Sequence, residues 1–461
     1  MPAAIHRLCI FLATTAITSA SLSMSEGALA ASQRSSWVTQ NIYSYNHPYA
    51  AQLPQELATK MSKMSAGAFS FYRGTAHLFY EDMKSRASAF TNSATSKVWL
   101  EGDMHLQNFS AFKDAGGNKV FDVSDFDEGY WGPYTWDVWR MAVSIILAAK
   151  EQGMSSSDRD ALVDNFVESY LDKMNDFSGN DDEKNYRLTS GNTNGEVKDA
   201  IQALDSKTRG ALLSKYTSVV NGKRKFLATS ELQALTSTSY SAIGAAMSGY
   251  ISSIPSSKRY ATSYYTLKDA RLKLGSGTGS LGRYRYYLLI EGPTTSTSDD
   301  VILEMKQEVG SAVAIAAGSL MPSSVYGSNQ GKRVALTMKA QLSNTDLLAG
   351  WTTVSGASYF LREKSPFQED FDYTKLTSYS EWMDATGYFG KTLAKIHALS
   401  DKDYDSTLIS SGVDKAISDI TNGKHSEFRA EVRSFAKDYA TQVEYDYQAF
   451  LSAYRAGQTL Y

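Results

Sequence analysis

Residues 277–290 read Gly277-Thr278-Gly279-Ser280-Leu281-Gly282-Arg283-Tyr284-Arg285-Tyr286-Tyr287-Leu288-Leu289-Ile290. How this stretch folds decides the architecture. A G-x-G-x-x-G that opens a helix marks a dinucleotide-binding βαβ unit, because the pyrophosphate sits on that helix's N-terminus. Here the glycines run straight into aromatic and aliphatic residues without helical spacing, which predicts a strand. The reading is strand, glycine hairpin, strand, in which backbone N–H groups can face phosphates. A further strand-like run, Val301-Ile302-Leu303-Glu304-Met305, delivers Lys306, in position to meet the α- and β-phosphates of a nucleotide. Gly277, Gly279, Gly282 and Lys306 are therefore the candidate nucleotide-binding residues. The plainer alternative is a flexible hairpin beside a surface lysine. Glu304 shares the strand face of Lys306 and Glu308 lies close by, and the pattern does not assign either as its partner.

Upstream lie two acidic loops, Gly102-Asp103-Met104-His105-Leu106-Gln107-Asn108 and Val123-Ser124-Asp125-Phe126-Asp127-Glu128. The intervening Asp114-Ala115-Gly116-Gly117-Asn118 has hairpin-turn composition, so both loops can converge on one point. Phosphoryl transfer needs a carboxylate to accept a hydroxyl proton and oxygen ligands to hold Mg²⁺ against the phosphates. An Asp followed five residues later by an Asn has the spacing of a kinase catalytic loop, and Asp125-Phe126 then stands where kinases carry their metal-binding Asp-Phe pair. Asp103 is the candidate base, Asn108 and Asp125 are candidate metal ligands, and Asp127 is a second acidic ligand. Asp and Asn are also common in turns, so a purely structural pair of loops is the competing reading.

Around these motifs the composition is that of a globular protein. The 461 residues are 43 % hydrophobic and 12 % aromatic, with 46 basic against 49 acidic side chains and a net charge of -3. Wholesale disorder and a cationic nucleic-acid scaffold are both excluded. Residues 1–30 combine His6 and Arg7, an apolar run from Leu8 to Ile17, and Ala28-Leu29-Ala30 before Ala31. This predicts a cleaved secretory signal peptide and a secreted or periplasmic mature chain. The lone Cys9 falls within that leader and precedes the apolar run, so a lipoprotein, disulfides and Cys-ligated zinc are all excluded for the mature chain. No later stretch is long and apolar enough to span a membrane.

The spacing predicts helices over Trp136–Lys150, 156–175, much of 197–250, and 428–454, where Phe428, Val432, Phe435, Tyr439, Val443, Tyr447 and Phe450 recur every three or four residues. Ser178 to Glu196 reads as an exposed polar loop. Strands are expected at Tyr284–Ile290, Val301–Met305 and Tyr359–Arg362. The coarse class is α+β.

Phe71-Tyr72-Arg73-Gly74, GDMHLQNF (102–109), FDVSDFDE (121–128) and Pro133-Tyr134-Thr135-Trp136-Asp137 with Arg140 closely resemble the bacterial domain family of unknown function 2252 (DUF2252). Matching stretches cover nearly the whole mature chain. The two acidic loops also resemble, more locally, the GDxHxxN and downstream Asp motif of aminoglycoside phosphotransferase-like kinases. That second resemblance implies Asp103 as base, Asn108 and Asp125 as metal ligands, and Asp137 as an acid that stabilises the loop. Glu101 departs from it, standing where those kinases often have His. Leu393-Ala394-Lys395-Ile396-His397-Ala398-Leu399 resembles the helix that leads into the catalytic loop in such relatives, yet here it lies near the C-terminal end.

Catalytic loop before glycine hairpin is the reverse of the kinase order. The expectation is therefore a circularly permuted, protein kinase-like two-lobe fold. Residues 31–259 would form a helical lobe with the catalytic and metal loops, 260–375 a nucleotide-binding small lobe, and 376–461 the helices completing the helical lobe. His105 fits a turn-holding role. Arg73 fits either phosphate binding or a structural ion pair. The six histidines contain no HExxH and the chain no G-x-S-x-G, against a zincin or an α/β-hydrolase. Asp122, Asp125, Asp127 and Glu128 lack the glycine and terminal glutamate of an EF-hand. Tyr284, Tyr286, Tyr287 and Trp131 fit stacking on a ligand or plain core. Two functions follow. One is an exported, metal-dependent phosphotransferase using ATP or another nucleotide and Mg²⁺ on a hydroxyl acceptor, with nucleotidyl transfer as a variant. The other is a non-catalytic kinase-like exported protein that binds a ligand or divalent ion. The acceptor carries no signature in these motifs, and no segment singles out an oligomer interface.

Overall fold

The structure, a computed structural model, describes residues 31–461, and the expected leader lies outside them. Helix and strand are mixed, as an α+β chain requires. The glycine stretch is a hairpin connection: residues 274–284 join the antiparallel strands Leu267–Lys273 and Arg285–Ile290. Gly277 and Gly282 sit at φ +75° and +98°, in the left-handed region that a side chain resists. The next strand, Val301–Glu308, pairs with Arg285–Ile290 so that Lys306 stands opposite Arg285. A six-stranded antiparallel sheet results, in the order Gly350–Val354, Ala357–Glu363, Val301–Glu308, Arg285–Ile290, Leu267–Lys273, Leu232–Ala234.

Strand alternation gives this sheet two unlike faces. Tyr286, Leu288, Leu303, Met305 and Tyr359 pack under the Ser237–Ser253 helix through Ile243, Met247 and Tyr250. The opposite face buries Tyr287, Leu289 and Ile302 against Leu213 and Phe226, and further along the same strands it presents Arg285, Glu304 and Lys306. The sheet thus draws its cover from upstream of residue 260. The helix expected over much of 197–250 is broken there by a hairpin, Thr217–Val220 with Lys223–Phe226. Asn221 (φ 50°) and Gly222 (φ 72°) form its turn, and Asn-Gly with both residues at positive φ makes the tight turn that twisted hairpin strands prefer.

The helical part is built on Thr135–Glu151, buried from Thr135 to Ala149. Around it lie Ser156–Phe177, Tyr379–Leu399 and His425–Arg455. Ser155 caps the first of these by accepting the Asp158 N–H, and Ser378 with Glu381 forms a reciprocal capping box on the second. Gly390 lets that second helix lie directly on Ser156–Phe177: a Cβ there would stand 2.9 Å from Tyr170 N and closer still to the Phe166 carbonyl. The acidic loops flank a hairpin, Phe109–Lys113 with Lys119–Val123, and Gln368–Asp370 adds a third strand from the chain leaving the large sheet. Among the described residues no helix is long and apolar enough to cross a membrane.

Candidate active site

The first acidic loop is held from behind by buried groups. Asp137, fully buried at the start of the Thr135–Glu151 helix, accepts the N–H groups of Glu101 (2.7 Å) and Gly102 (3.0 Å). His397 Nε2 lies 3.3 Å from Asp137 Oδ2, and Tyr170 OH lies 3.0 Å from His397 Nδ1. Three helices therefore fix the loop through one chain of polar contacts. Gly102 turns there at φ +90°, with the Glu128 carbonyl where a side chain would go. Glu101, also buried, accepts the Asp103 N–H at 2.8 Å and the Asn108 amide at 3.0 Å. Burial, then Asp137 and Asp103, push its carboxyl well above the usual range.

Asp103 projects from this loop with one oxygen committed. Arg140, buried between the rings of Tyr72 (4.3 Å) and Phe79 (5.2 Å), donates to Asp103 Oδ1 from Nε at 2.8 Å and also from Nη2. The other oxygen, Oδ2, lies 3.8 Å from His105 Nε2. His105 Nδ1 accepts the Gln107 N–H at 3.2 Å, which leaves the ring proton on Nε2, toward Asp103. Burial and the nearby Arg73 and Arg140 keep this imidazole neutral. Burial also raises the Asp103 carboxyl to about 7, against the opposing pull of Arg140. Asn108 spends its amide N–H groups on Glu101 and the Asp103 carbonyl, so only its carbonyl oxygen remains for anything in front of it.

The second loop stands beside the first because the Ser124 N–H donates to the backbone carbonyl of Asn108 at 2.9 Å, which leaves the side-chain Oδ1 untouched. Asp125 Oδ1 accepts the Phe126 N–H (3.0 Å) and lies 3.3 Å from Lys306 Nζ, while Asp127 Oδ1 lies 2.6 Å from the same ammonium. Burial raises the Asp125 carboxyl, but Lys306, Arg362 and Arg285 outweigh it and hold it well below the usual range. Burial and the Asp125 charge push Asp127 up instead. Asp122 points the other way, into an ion pair with Lys395, and Glu128 accepts the Ala312 N–H at 2.5 Å. The four acids of this loop therefore do not form one Ca²⁺ cradle.

Asp103, Asn108, Asp125, Asp127, His105 and Arg73 line one cavity of about 410 Å³ together with Gly277 and Gly279. Gly282 faces away, against Leu57, and Asp137 supports from behind. The turn itself is held by Lys60, which donates to the Gly279 carbonyl at 2.9 Å, and by Lys63, which donates to those of Gly275 and Gly277. Burial and Arg283 lower the Lys60 amine to about 7. Arg73 is half-buried, and its buried Nε has no protein partner.

Several groups here were not assigned roles from the sequence. Arg285 and Arg362 flank Glu304 at 2.8 Å and 3.5 Å, and both line the cavity with Arg283 and Lys364. The alternation Arg283-x-Arg285 on a strand leading from the glycines was the available signal, while Arg362 becomes a neighbour only through the register Glu304↔Arg362. Arg140 lies three residues beyond Asp137, hence on the same helix face. Arg333, on the Gln330–Gln341 helix, donates to the carbonyls of Asp127, Gly129 and Val309 and ties the acidic loop to the end of the lysine strand. Tyr287 lines the cavity, whereas Tyr286 faces the opposite core and Trp131 is buried edge-on to Trp99 at 5.6 Å.

Fold and site together define an α+β protein in which a glycine turn and two acidic loops line one polar cleft, with the buried Lys306 paired to Asp125 and Asp127 behind that lining. The chain belongs to the family described as "Uncharacterized protein conserved in bacteria (DUF2252)", whose model matches residues 52–453. No curated protein and no solved structure shows significant similarity to it.

Proposed function

We propose that the protein is an exported, metal-dependent phosphotransferase with a permuted kinase-like architecture. It would move a phosphoryl group from ATP or a related nucleotide to a hydroxyl acceptor. The observation that carries this reading is the convergence of Asp103, Asn108, Asp125 and Asp127 with the glycine turn on a single cavity, with Lys306 on the acidic pair. Strand, glycine turn, strand and lysine strand run consecutively here, the order in which kinases cover and grip the phosphates. One kinase feature is replaced: Lys306 is paired with Asp125 and Asp127 rather than with a helix-borne glutamate, and the Gln330–Gln341 helix contributes Arg333.

The donor set suits Mg²⁺, since the carbonyl of Asn108 and the carboxylates of Asp125 and Asp127 are hard oxygen ligands. Such an ion neutralises charge on the phosphates. Arg73, Arg285 and Lys306 complement the remaining phosphate charge, and the N–H groups around Gly277 and Gly279 supply directed donors. Asp103 Oδ2 would then accept the acceptor's hydroxyl proton while the acceptor's hydroxyl oxygen bonds to the terminal phosphorus and the bond to the leaving nucleoside diphosphate breaks. Arg140 keeps Oδ1 fixed during the transfer.

Calorimetric titration of the mature chain with ATP, with and without Mg²⁺, tests this. Metal-dependent binding that disappears in Asp125→Ala is expected. Absence of binding in either condition favours the second reading, a non-catalytic kinase-like protein that binds another ligand. One feature favours that reading: the acidic pair already holds a cation of its own, the Lys306 ammonium.

A further inference from the structure

Away from the cleft, a second acidic group joins two segments that the chain keeps far apart. Asp181 and Glu183 lie just after the Ser156–Phe177 helix, around the turn Asp182–Lys184, and Asp403 lies in the turn Lys402–Asp405 that follows the Tyr379–Leu399 helix. One carboxylate oxygen from each of the three falls within 4.8 Å of the others. Acidic clusters are common on surfaces, and this one alone would mean little. Glu183 sets it apart. The polar stretch 178–196 reads as exposed, yet Glu183 is 1 % exposed and neither of its carboxylate oxygens has a hydrogen-bond partner.

A buried carboxylate without partners needs a physical explanation. Lys184 bridges the two outer acids, at 3.0 Å from Asp181 Oδ1 and 3.8 Å from Asp403 Oδ1. Among the described residues no cation comes within ion-pair distance of Glu183. A cleft of about 260 Å³ opens beside Asp181 and Asp403 and also exposes Asn180 and Asp414. Its other cations are Lys402 and Lys415, and Lys415 is engaged by Asp419 at 2.9 Å.

We propose that Asp181, Glu183 and Asp403 form a structural Ca²⁺ site. The cation takes the place of the Lys184 ammonium between the two outer acids and gives the Glu183 oxygens their missing partner. The all-oxygen donor set selects a hard cation, and three acids on two separate turns suit the flexible, high coordination of Ca²⁺ better than the strict octahedron of Mg²⁺. Water from the cleft completes the shell. Bound there, the ion ties the loop after one core helix to the end of the helix that carries His397.

The test is calcium chloride titration of the full mature chain, first stripped with chelator, read by calorimetry and by thermal melting. Wild type and Asp125→Ala should both bind Ca²⁺ and gain melting temperature, since the ligands of the cleft are not involved. Glu183→Gln and Asp403→Asn should bind at least tenfold more weakly, and Lys184→Met should bind at least as tightly as wild type. Without Ca²⁺, Glu183→Gln should melt no lower than wild type, because a buried charge is gone. Should Glu183→Gln fail to fold, Asp403→Asn on the outer side carries the comparison. The site is disproved if wild type shows neither heat nor a melting shift up to about 5 mM Ca²⁺. It is equally disproved if both carboxamide variants keep the full response, or if Asp125→Ala abolishes it.

Discussion

Asp103 and Arg140 show what a single pair can carry. Arg140 is buried between two aromatic rings and fixes one carboxylate oxygen, while burial lifts the carboxyl to about 7. A base must be deprotonated to work, so transfer should fall about tenfold per pH unit below about 7 and level off above it. A kcat/KM profile that stays flat from about pH 5 to 8 would remove Asp103 from that role. Asp103→Asn keeps the size but cannot accept the proton, and the rate should drop by about 10²–10⁴. Arg140→Leu leaves the Asp103 charge buried without its partner, and denaturant unfolding should show a loss of about 3–5 kcal/mol. The acids were legible in the sequence because their spacing is local. Arg140 was visible only as part of a motif, since its partner lies 37 residues away in the chain. Arg362 was not legible at all, because its neighbour is set by strand register.

Among the elements, the Tyr379–Leu399 helix does the most to shape the site. Positions two apart on a helix point about 200° from each other, so Lys395 and His397 reach different elements: one pairs with Asp122 on the Lys119–Val123 strand, the other with Asp137 at the start of the Thr135–Glu151 helix. The helix can pass between them only because Gly390 brings it against Ser156–Phe177. Gly390→Ala should destabilise the fold by about 1–3 kcal/mol or more, read from chemical denaturation, because backbone rather than a movable side chain stands in the way. A variant as stable as wild type would show that the two helices slide apart freely. Helical spacing over 428–454 matches the helix His425–Arg455. The hairpin at 217–226 was missed, although Asn221-Gly222 between short β-branched and basic runs is its signal. Strong helix formers on either side masked a turn that two residues decide.

At the scale of the molecule, burial of acids sets the response to pH. Burial raises the carboxyls of Asp103, Glu183, Glu363 and Asp401 to about 7 each. A raised folded value means the group favours folding fully below its unfolded value near 4, and that contribution disappears as pH rises through about 7. Asp125 and Glu304 are lowered instead, so their contribution is complete above about 4 and is lost as pH falls from there through their lowered folded values. Thermal stability in metal-free buffer should therefore be highest near about pH 4 and decline from there towards about pH 7. A melting temperature that climbs steadily from about pH 5 to 8 would contradict this balance. The α+β class was legible from the alternation of patterns along the chain; which strands share a sheet with Leu232–Ala234 was not, since that depends on contacts distant in sequence. Those distances also impose a schedule on synthesis. His397 follows Asp137 by 260 residues, and Lys395 follows Asp122 by 273. At about 5–20 residues per second, the acidic loops leave the ribosome roughly 10–50 seconds before their partners exist. Until then the two carboxylates are better off in water than inside. A product released before residue 395 holds every acid of the cleft but lacks Lys395 and His397 behind two of its supports, so the arrival of one late helix acts as a checkpoint on whether the nascent chain builds its site.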